Sequence, residues 1–508
     1  MLLAPFALLE AEQHDKLRHV RLLPSGFGEG RLRVFTSILA ILLVSVCCSS
    51  AALAPTARHA SPTAAGELKL VVALFRHGVR APLEGFGAHA RDHSKDDWPD
   101  LVADWHVRAD GWGDLTPGGA AAARALGVYY ARTYSTKWPN GFKAFLWADA
   151  GDERTRETAQ ALARGLRASN VEAEVGFLPA GTTDPLFHPF KAGCGTPDAA
   201  RLHNIVADIN RNWLLWRLAR KRAFGELSAI LACSSKTPGC KPLNASVDEA
   251  TAWTSGARPS SPVIWKGQFP YASSASEAFL LEFANNMPAG KVGWGRVAVG
   301  PDDARAQLRS VLALHEFYFD RTEREHYLAW LQGSNLVREI LDQLNRKAGR
   351  TSPVDGQCPC AKADSQFVGL VGHDTNLAEV GSLLGLRWNF TDARLPPDTR
   401  GLPANDALPA GALTFELLRQ GGDYFVRIAY VAQSLSRIRN PAAGGDAYRL
   451  AVACLDAHGA NQSHCEMSLE RFNRLAESAI GTRNPFLSTC RSGEQVCTAA
   501  SAATPSNE

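Results

Sequence analysis

The chain has 508 residues, of which 45% are hydrophobic and 21% are charged. These proportions are those of a globular protein and exclude a disordered or collagen-like chain. The 54 basic and 51 acidic residues give a formal charge of +3. This near balance argues against a dedicated nucleic-acid-binding protein, which would need a strongly basic surface.

The N-terminal residues have the pattern of an export signal. Two arginines precede an uncharged apolar run at 34–46, and an Ala-x-Ala sequence follows at 52–54. This order favours a cleaved secretory signal. The uncharged run extends far enough to just span a bilayer, so an uncleaved anchor is the alternative. We therefore predict a signal peptide or signal anchor at 1–54, a linker at 55–66, and a periplasmic or secreted protein.

Three apolar runs predict strands that are buried on both faces of a sheet. They cover residues 68–75, 145–148 and 367–371. Consecutive apolar residues of this kind are typical of parallel strands. Each run is followed by a helical pattern, at 117–133, 154–168 and 376–386. Strands that alternate with helices predict an α/β fold, with a mainly parallel sheet flanked by helices.

The middle of the chain has helical patterns without such strands. They lie at 198–232, 275–286 and 303–349. We predict a smaller, mainly α-helical cap domain at 186–300. It would be inserted between two parts of the α/β domain, at 67–185 and 301–490. Residues 491–508 lack apolar periodicity and are predicted to form a disordered tail.

The segment Arg76-His77-Gly78-Val79-Arg80-Ala81-Pro82 directly follows the first predicted strand. In α/β folds, ligands bind at the carboxyl ends of parallel strands. The planar, forked guanidinium groups of Arg76 and Arg80 suit a phosphoryl group. Their charge lowers the pKa of His77 and keeps its imidazole neutral and nucleophilic. A polar surface loop is the alternative, but average residue usage gives Arg-His-Gly-x-Arg-x-Pro by chance in about one such sequence in ten thousand.

Two further polar segments follow the other predicted strands. In Gly-His-Asp-Thr-Asn at 372–376, His373 offers a donor to phosphoryl oxygens and Asp374 offers a proton to a leaving alcohol. A purely structural His-Asp pair is the alternative. In Asp-Glu-Arg-Thr at 152–155, Arg154 is either a further phosphate ligand or part of an ordinary helix start with acidic capping residues.

Together these segments resemble the histidine acid phosphatases, in particular the branch that contains the bacterial periplasmic phytase/acid phosphatase and glucose-1-phosphatase. The resemblance extends from Leu68 to Cys490. It includes Asp-Pro-Leu-Phe at 184–187, Gly-Trp-Gly-Arg at 293–296 and Gln-Ser at 433–434. It implies an α/β domain with a smaller α domain, and hydrolysis of phosphomonoesters through a phosphohistidine.

The resemblance also implies a role for each motif residue. His77 would be the nucleophile and Asp374 the proton donor to the leaving group. The residues that would bind the scissile phosphate are Arg76, Arg80, Arg154 and His373. No metal or cofactor is expected, because arginines would stabilise the phosphoryl charge. The expected partner is a small phosphate monoester, with no nucleic acid and no membrane contact beyond the N-terminal signal. The sequence does not define the oligomeric state.

The residues after the motif proline bear on the substrate. Phytase-like members typically have threonine and lysine there, whereas this chain has Leu83 and Glu84. Glucose-1-phosphatase-like members also carry leucine, but the segments at 152–155 and 373–376 look more phytase-like. Leu83, Glu84 and Thr375 are therefore candidates for the substrate pocket. The substrate stays open between phytate and sugar phosphates such as glucose-1-phosphate.

Two other functions are compatible with the same fold. A catalytically silent phosphate- or phosphosugar-binding protein is disfavoured, because His77 and Asp374 are both present. A phosphotransferase or mutase is disfavoured by Val79, because the related phosphoglycerate mutase branch typically has glutamate at that position.

The eleven cysteines agree with an exported, disulfide-bonded protein. Two pairs lie close enough in sequence to close small loops: Cys233 with Cys240, and Cys454 with Cys465. The resemblance suggests a third pair, Cys194 with Cys490. Outside the signal, the cysteines without an assigned partner are Cys358, Cys360 and Cys497. This odd remainder means at least one free or intermolecular thiol.

Overall fold

The computed structural model describes residues 66–86, 91–138, 140–297, 303–351, 364–441, 446–455, 461–462 and 464–481. All of them belong to one unit, Pro62–Glu508. The predicted signal at 1–54, all but the last residue of the linker at 55–66, and the predicted tail at 491–508 lie outside the described residues.

The strands and helices have the following bounds. The strands are β1 Glu67–Arg76, β2 Lys143–Ala148, β3 Glu172–Gly176, β4 Glu249–Ala252, β5 Val263–Lys266, β6 Phe367–Gly372, β7 Arg387–Trp388, β8 Ala412–Gln420, β9 Asp423–Ala432, β10 Tyr448–Leu455, β11 Asn461–Gln462 and β12 Cys465–Ser468. The α-helices are α1 Pro117–Ser135, α2 Glu153–Arg167, α3 Ala199–Ala219, α4 Lys221–Leu231, α5 Gln268–Ala284, α6 Asp303–Arg321, α7 His326–Lys347, α8 Asp374–Leu383, α9 Leu435–Arg439 and α10 Leu469–Ile480.

A single large mixed sheet organises the fold. Its strand order is β11-β10-β9-β8-β1-β6-β2-β3, with β12 paired to β9 and β7 paired to β10. The pairs β1–β6, β6–β2 and β2–β3 are parallel, whereas β8, β9 and β10 continue the sheet in antiparallel fashion. The predicted α/β class, with parallel strands flanked by helices, is confirmed. The antiparallel half had not been predicted.

The central strand β1 is buried on both faces because its apolar residues are consecutive. Val71 and Phe75 lie in the core that the sheet forms with α1 and α2. Val72 and Leu74 point the other way and lie in the core that includes α7. Burying one such side chain stabilises the fold by about 1.5–3 kcal/mol. The two cores fix β1 in the middle of the molecule, and with it the segment that follows its last residue.

The middle region is helical, as predicted. The pattern at 198–232 is two helices, α3 and α4, which meet at Arg220. The pattern at 303–349 is likewise α6 and α7, and a short ribbon of β4 and β5 precedes α5. A separate cap domain at 186–300 stays a prediction. Among the described residues, no helix combines the length and the apolar character needed to cross a membrane.

Both disulfides predicted from sequence spacing are present. Cys233 is bonded to Cys240, and Cys454 to Cys465. Cys194 is also disulfide-bonded. The remaining cysteines of the sequence analysis lie outside the described residues: Cys358, Cys360, Cys490 and Cys497.

Candidate active site

The polar segments that follow the three parallel strands meet at one edge of the sheet. β6 lies between β1 and β2, so the carboxyl ends of the three strands are neighbours. The backbone N–H of His77 donates to the carbonyl of Gly372 (2.9 Å), and the N–H of Asp149 donates to the carbonyl of Val371 (3.0 Å). The residues just beyond each strand are therefore fixed side by side.

A close backbone contact holds His77 in its turn. A Cβ on Gly78 would lie 3.0 Å from the carbonyl oxygen of Gly119 in α1, so the turn has little room for a larger residue. The N–H of Gly78 donates to Thr158 Oγ1 of α2 (3.0 Å). The imidazole Nδ1 of His77 lies 2.8 Å from the carbonyl oxygen of Gly78. Because a carbonyl only accepts, the proton sits on Nδ1, and the neutral ring carries its lone pair on Nε2.

The surroundings of His77 keep its ring uncharged. The side chain is 2% exposed. Burial, followed by the positive charges of Arg154, Arg76 and Arg80, lowers the pKa of His77 well below its ordinary value. The imidazole therefore remains a neutral nucleophile in mildly acidic solution.

Arg76 and Arg80 are held together by a glutamate from the helical region. Glu277 of α5 places one carboxylate oxygen against Arg76 and the other 3.0 Å from Nη2 of Arg80. Arg76 also lies 3.0 Å from Oδ2 of Asp374. A carboxylate thus bridges the two guanidinium groups that we predict to bind a phosphoryl group.

Arg154 lies in the same cluster, held by the residue before its helix. Both terminal nitrogens of Arg154 donate to the carboxylate of Asp152, at 2.9 and 3.0 Å. Asp152 precedes α2 but makes no side-chain capping hydrogen bond. The structure places Arg154 beside the other site residues, and its role as a phosphate ligand stays a prediction. Arg154 Nη2 lies 3.4 Å from Nδ1 of His373.

His373 is anchored on its far side by an aspartate. Its Nε2 lies 2.9 Å from Oδ2 of Asp149, which is fully buried. The same oxygen lies 3.0 Å from Nε2 of His188. Burial alone would raise the pKa of Asp149, but hydrogen bonds from His188 and His373 outweigh it and lower the pKa. The rings of His373 and His77 lie 5.6 Å apart, centre to centre.

Asp374 opens helix α8 at the same edge. Its Oδ1 accepts a hydrogen bond from the N–H of Thr375 (2.9 Å). Burial raises the pKa of Asp374, but the positive charges of Arg76 and, less strongly, Arg80 outweigh it and hold that pKa below its ordinary value. Without a bound anion, Asp374 is therefore ionised and paired with Arg76.

The three arginines retain unused hydrogen-bonding capacity. The Nε atoms of Arg76, Arg80 and Arg154 are buried and have no acceptor within the part of the chain that the structure describes. A buried donor without an acceptor costs about 1–3 kcal/mol. An anionic ligand with several oxygens is the kind of group that such a set of donors binds.

The predicted pocket residues lie beside this cluster. A Cβ on Gly113 would be 3.1 Å from Leu83 and 3.3 Å from Arg154, so these two side chains flank the same point. Leu83 is 42% exposed, and Glu84 is exposed next to it. Thr375 is half-buried beside Asp374. All the site residues predicted from sequence are thus placed at or near one edge of the sheet.

Three residues of the cluster had not been predicted: Glu277, Asp149 and His188. The sequence does contain an indication for Asp149, because this residue directly follows the predicted strand at 145–148. His188 follows the Asp-Pro-Leu-Phe segment, and Glu277 lies in a helix without any motif. Asp149, His188, Asp152 and His373 also bring four possible metal-ligand atoms within 4.8 Å of one another.

A comparison with known families decides what kind of protein carries this site. A sequence model of the histidine phosphatase superfamily (branch 2) matches residues 67–207 and 281–431, more than half of the chain. The chain belongs to this family. Phytase AppA of Escherichia coli (strain K12) is 30% identical over 392 residues, 74% of this chain and 83% of that protein. Glucose-1-phosphatase of Providencia rettgeri is 24% identical over 415 residues, 79% of this chain and 89% of that protein.

Solved structures of phytases have the same fold. The apo form of the Hafnia alvei phytase superposes with a TM-score of 0.65 at 27% identity, covering 83% of this chain and 98% of that one. The phytase of Citrobacter braakii superposes with a TM-score of 0.63 at 26% identity, covering 81% and 98%. This histidine phosphatase is therefore a hydrolase with phosphomonoesterase activity.

Proposed function

We propose that this histidine phosphatase is an exported acid phosphatase that works through a phosphohistidine at His77. The observation that carries the proposal is a buried, neutral imidazole among three guanidinium groups. The Nδ1 hydrogen bond to Gly78 leaves the lone pair on Nε2. The guanidinium groups match the charge and shape of a phosphoryl group.

In the first step, Nε2 of His77 attacks phosphorus while the bond from phosphorus to the ester oxygen breaks. Arg76, Arg80 and Arg154 balance the charge on the phosphoryl oxygens, as preorganised donors do in phosphoryl transfer. Asp374, in its protonated form, gives its proton to the departing oxygen. The products of this step are an alcohol and a phosphorylated His77.

In the second step, water attacks the phosphorus of the phosphohistidine. The Asp374 carboxylate accepts the proton of that water, and the bond from Nε2 to phosphorus breaks. Inorganic phosphate leaves, His77 is again neutral, and Asp374 has regained the proton it donated. The cycle is balanced without a metal ion or cofactor.

Substrate binding must displace Glu277. Its carboxylate occupies the donors of Arg76 and Arg80 that the proposal assigns to the phosphoryl group. The incoming phosphoryl oxygens replace this carboxylate and weaken the pairing between Arg76 and Asp374. The phosphoryl group brings negative charge next to Asp374, and the weaker pairing reduces the stabilisation of its carboxylate by Arg76. Both changes raise the pKa of Asp374 and favour the protonated form needed in the first step.

Two finer features are part of the proposal. Export is supported by the two disulfides and by the signal-like sequence at 34–54. The substrate class is supported by the relatives, one described as a phytase and one as a glucose-1-phosphatase. We propose a small sugar phosphate as the better substrate, because Leu83 and Glu84 add no positive charge beyond the arginine cluster.

The experiment is a hydrolysis assay in EDTA with nitrophenyl phosphate, glucose-1-phosphate and phytate. We expect the wild-type protein to hydrolyse phosphomonoesters under chelation and His77→Ala to lose all measurable activity. His203→Asn, an exposed histidine on α3, is the matched control and should retain wild-type activity. Loss of wild-type activity on chelation, restored by zinc or magnesium, would contradict the mechanism.

A further inference from the structure

A second cluster of titratable side chains lies behind the arginines, on the far side of His373. It consists of Asp149, Asp152, His188 and His373. Nε2 of His373 and Nε2 of His188 lie 2.9 and 3.0 Å from the same oxygen, Oδ2 of Asp149. Oδ2 of Asp152 lies 3.4 Å from Nε2 of His373. We propose that this cluster, here called the His-Asp cluster, binds a divalent transition-metal ion such as Zn²⁺.

The spacing of the donor atoms suits tetrahedral coordination. With metal–ligand distances of about 2.0–2.1 Å, neighbouring ligand atoms of a tetrahedral site are about 3.3 Å apart. Three of the six separations between donor atoms in the His-Asp cluster are 2.9, 3.0 and 3.4 Å, and all four atoms lie within 4.8 Å of one another. Side-chain shifts that bring the more widely separated donor atoms together would therefore admit the ion.

The chemistry of the donors selects the class of ion. Two imidazole nitrogens and two carboxylate oxygens suit zinc, cobalt, nickel or copper. Calcium and magnesium prefer sites made of oxygen atoms alone. On binding, the ion takes the place of the Nε2 protons that His188 and His373 now share with Asp149. Each ring then carries its single proton on Nδ1, because a coordinating histidine is neutral and unprotonated at the ligating nitrogen.

The ligands are held firmly on one side and are accessible on the other. Asp149 is fully buried, and its N–H donates to the carbonyl of Val371 at the sheet edge. His373 is nearly buried, and its N–H donates to Oδ1 of Asn376. The side chains of His188 and Asp152 are 20% and 35% exposed. An ion can therefore enter from the side of His188 and Asp152.

The charges around the cluster act on a bound cation in both directions. Arg154 is the nearest positive group and opposes binding, because it already holds Asp152 with two hydrogen bonds. We therefore assign the main ligands to His188, His373 and Asp149, with Asp152 as the weakest. Four carboxylates outnumber three guanidinium groups in the combined site, whose charged residues are Asp149, Asp152, Glu277, Asp374, Arg76, Arg80 and Arg154.

This ion takes no part in the hydrolytic steps proposed above. Its binding is measured by absorption of Co²⁺, so the result does not depend on whether those steps are correct. The tag-free protein is treated with EDTA, dialysed and titrated with Co²⁺ at neutral pH. We expect the strong visible absorption of four-coordinate Co²⁺ at one equivalent, and its loss when Zn²⁺ is added.

Variants assign the signal to the cluster. His188→Asn is expected to weaken Co²⁺ binding by more than tenfold, whereas His203→Asn, which changes an exposed histidine on α3, leaves it unchanged. Asp152→Asn, at the exposed rim, is expected to weaken binding by a smaller factor and serves if His188→Asn fails to fold. Absence of the four-coordinate absorption in the wild type would overturn the proposal. So would equal affinities for wild type, His188→Asn and Asp152→Asn.

Discussion

In the proposed mechanism, His77 is activated by its surroundings and not by an adjacent base. Its Nδ1 is occupied by the carbonyl of Gly78, and the positive charges around it disfavour a second proton on the ring. The same guanidinium groups that keep the ring neutral are those assigned to the phosphoryl oxygens. In this proposal, one set of charges prepares the nucleophile and binds its target, which gives a physical reason for an arginine on both sides of the histidine.

Asp374 should matter most when the leaving group is poor. We expect Asp374→Asn to reduce kcat for an alkyl phosphate such as glucose-1-phosphate by about 10²–10⁴-fold, since a general acid contributes that much when the departing oxygen is basic. An activated aryl ester should lose much less, because its leaving oxygen needs no proton. Steady-state rates on both esters give the comparison. Equal losses would mean that Asp374 only orients Arg76 or His373.

Glu277 should act as a competitor of the phosphoryl group. In Glu277→Gln, a neutral amide replaces the carboxylate that bridges Arg76 and Arg80, and an amide holds guanidinium groups less strongly. We expect the inhibition constant of inorganic phosphate to fall several-fold. Glu226→Gln, which removes the carboxylate of a surface ion pair on α4, is the control and should leave that constant unchanged.

A higher inhibition constant in Glu277→Gln would count against this role. It would mean that Glu277 supports phosphate binding, for example by holding the two arginines in position. The hypothesis that Glu277 competes with the phosphoryl group would then be wrong, although the proposed role of His77 would be unaffected.

Leu83 and Glu84 should set the preference between small and polyanionic substrates. A hydrogen bond to a charged group contributes about 1.5–3 kcal/mol, which leucine cannot supply, and the Glu84 carboxylate repels additional phosphates. We expect a higher kcat/KM for glucose-1-phosphate than for phytate. The double variant Leu83→Thr with Glu84→Lys should shift the ratio towards phytate. A wild type that already prefers phytate, together with an unchanged ratio in the double variant, would show that these positions do not determine specificity.

At the scale of elements, two glycines allow α1 and α2 to pack closely beside the site. A Cβ on Gly127 would lie 2.2 Å from the carbonyl oxygen of Leu162, and a Cβ on Gly165 would lie 2.0 Å from that of Arg124. Both obstacles are backbone atoms, which cannot rotate away. The crossing positions α2, which carries Arg154 at its first turn, against α1.

Gly165→Ala should therefore destabilise the protein. Overpacking of this kind typically costs about 1–3 kcal/mol, so the midpoint of thermal unfolding should fall. Gly225→Ala is the matched control, because it also changes a helical glycine, in α4, but has no atom near the added Cβ. Alanine there should raise stability by about 0.5–1 kcal/mol through helix propensity. An equal effect of the two substitutions would show that the close packing of α1 on α2 is not needed.

The strands around the site were predictable because each is a continuous apolar run that ends in polar residues. The runs at 68–75, 145–148 and 367–371 correspond to β1, β2 and β6. The strands β8 and β9 were missed, although two glycines with positive φ at 421–422 join them and Gly-Gly is a hairpin signal. β8 is buried by its pairing with β1, which lies far away in sequence, and β9 is buried between β8 and β10.

The candidate site was predictable only where it follows a motif. His77 and His373 lie in segments that join a strand to a loop or helix, and their chemistry is readable from neighbouring residues. Glu277 lies in a helix, 201 residues after Arg76, and nothing in its own segment indicates a contact with arginine. His188 is brought to Asp149 by the loop after β3. Contacts of this kind depend on the path of the chain and not on local pattern.

For the molecule as a whole, the charge distribution predicts activity in acid. Burial and the neighbouring arginines lower the pKa of His77, so the nucleophile stays neutral as the pH falls. Asp374 must carry a proton to act as the acid. The fraction of enzyme in which Asp374 is protonated falls as the pH rises. The profile of kcat/KM against pH should therefore peak below neutrality. A maximum above pH 7 would contradict this assignment of acid and nucleophile.

The central claim is that His77 carries the phosphoryl group between the two steps. The most direct measurement is rapid quenching of the wild-type protein during turnover of a phosphate ester labelled with ³²P, followed by peptide mapping. We predict a labelled peptide that contains His77, with a bond that is labile in acid and stable in base, and no label in His77→Ala. A label on another residue, or a bond stable in acid, would contradict the claim.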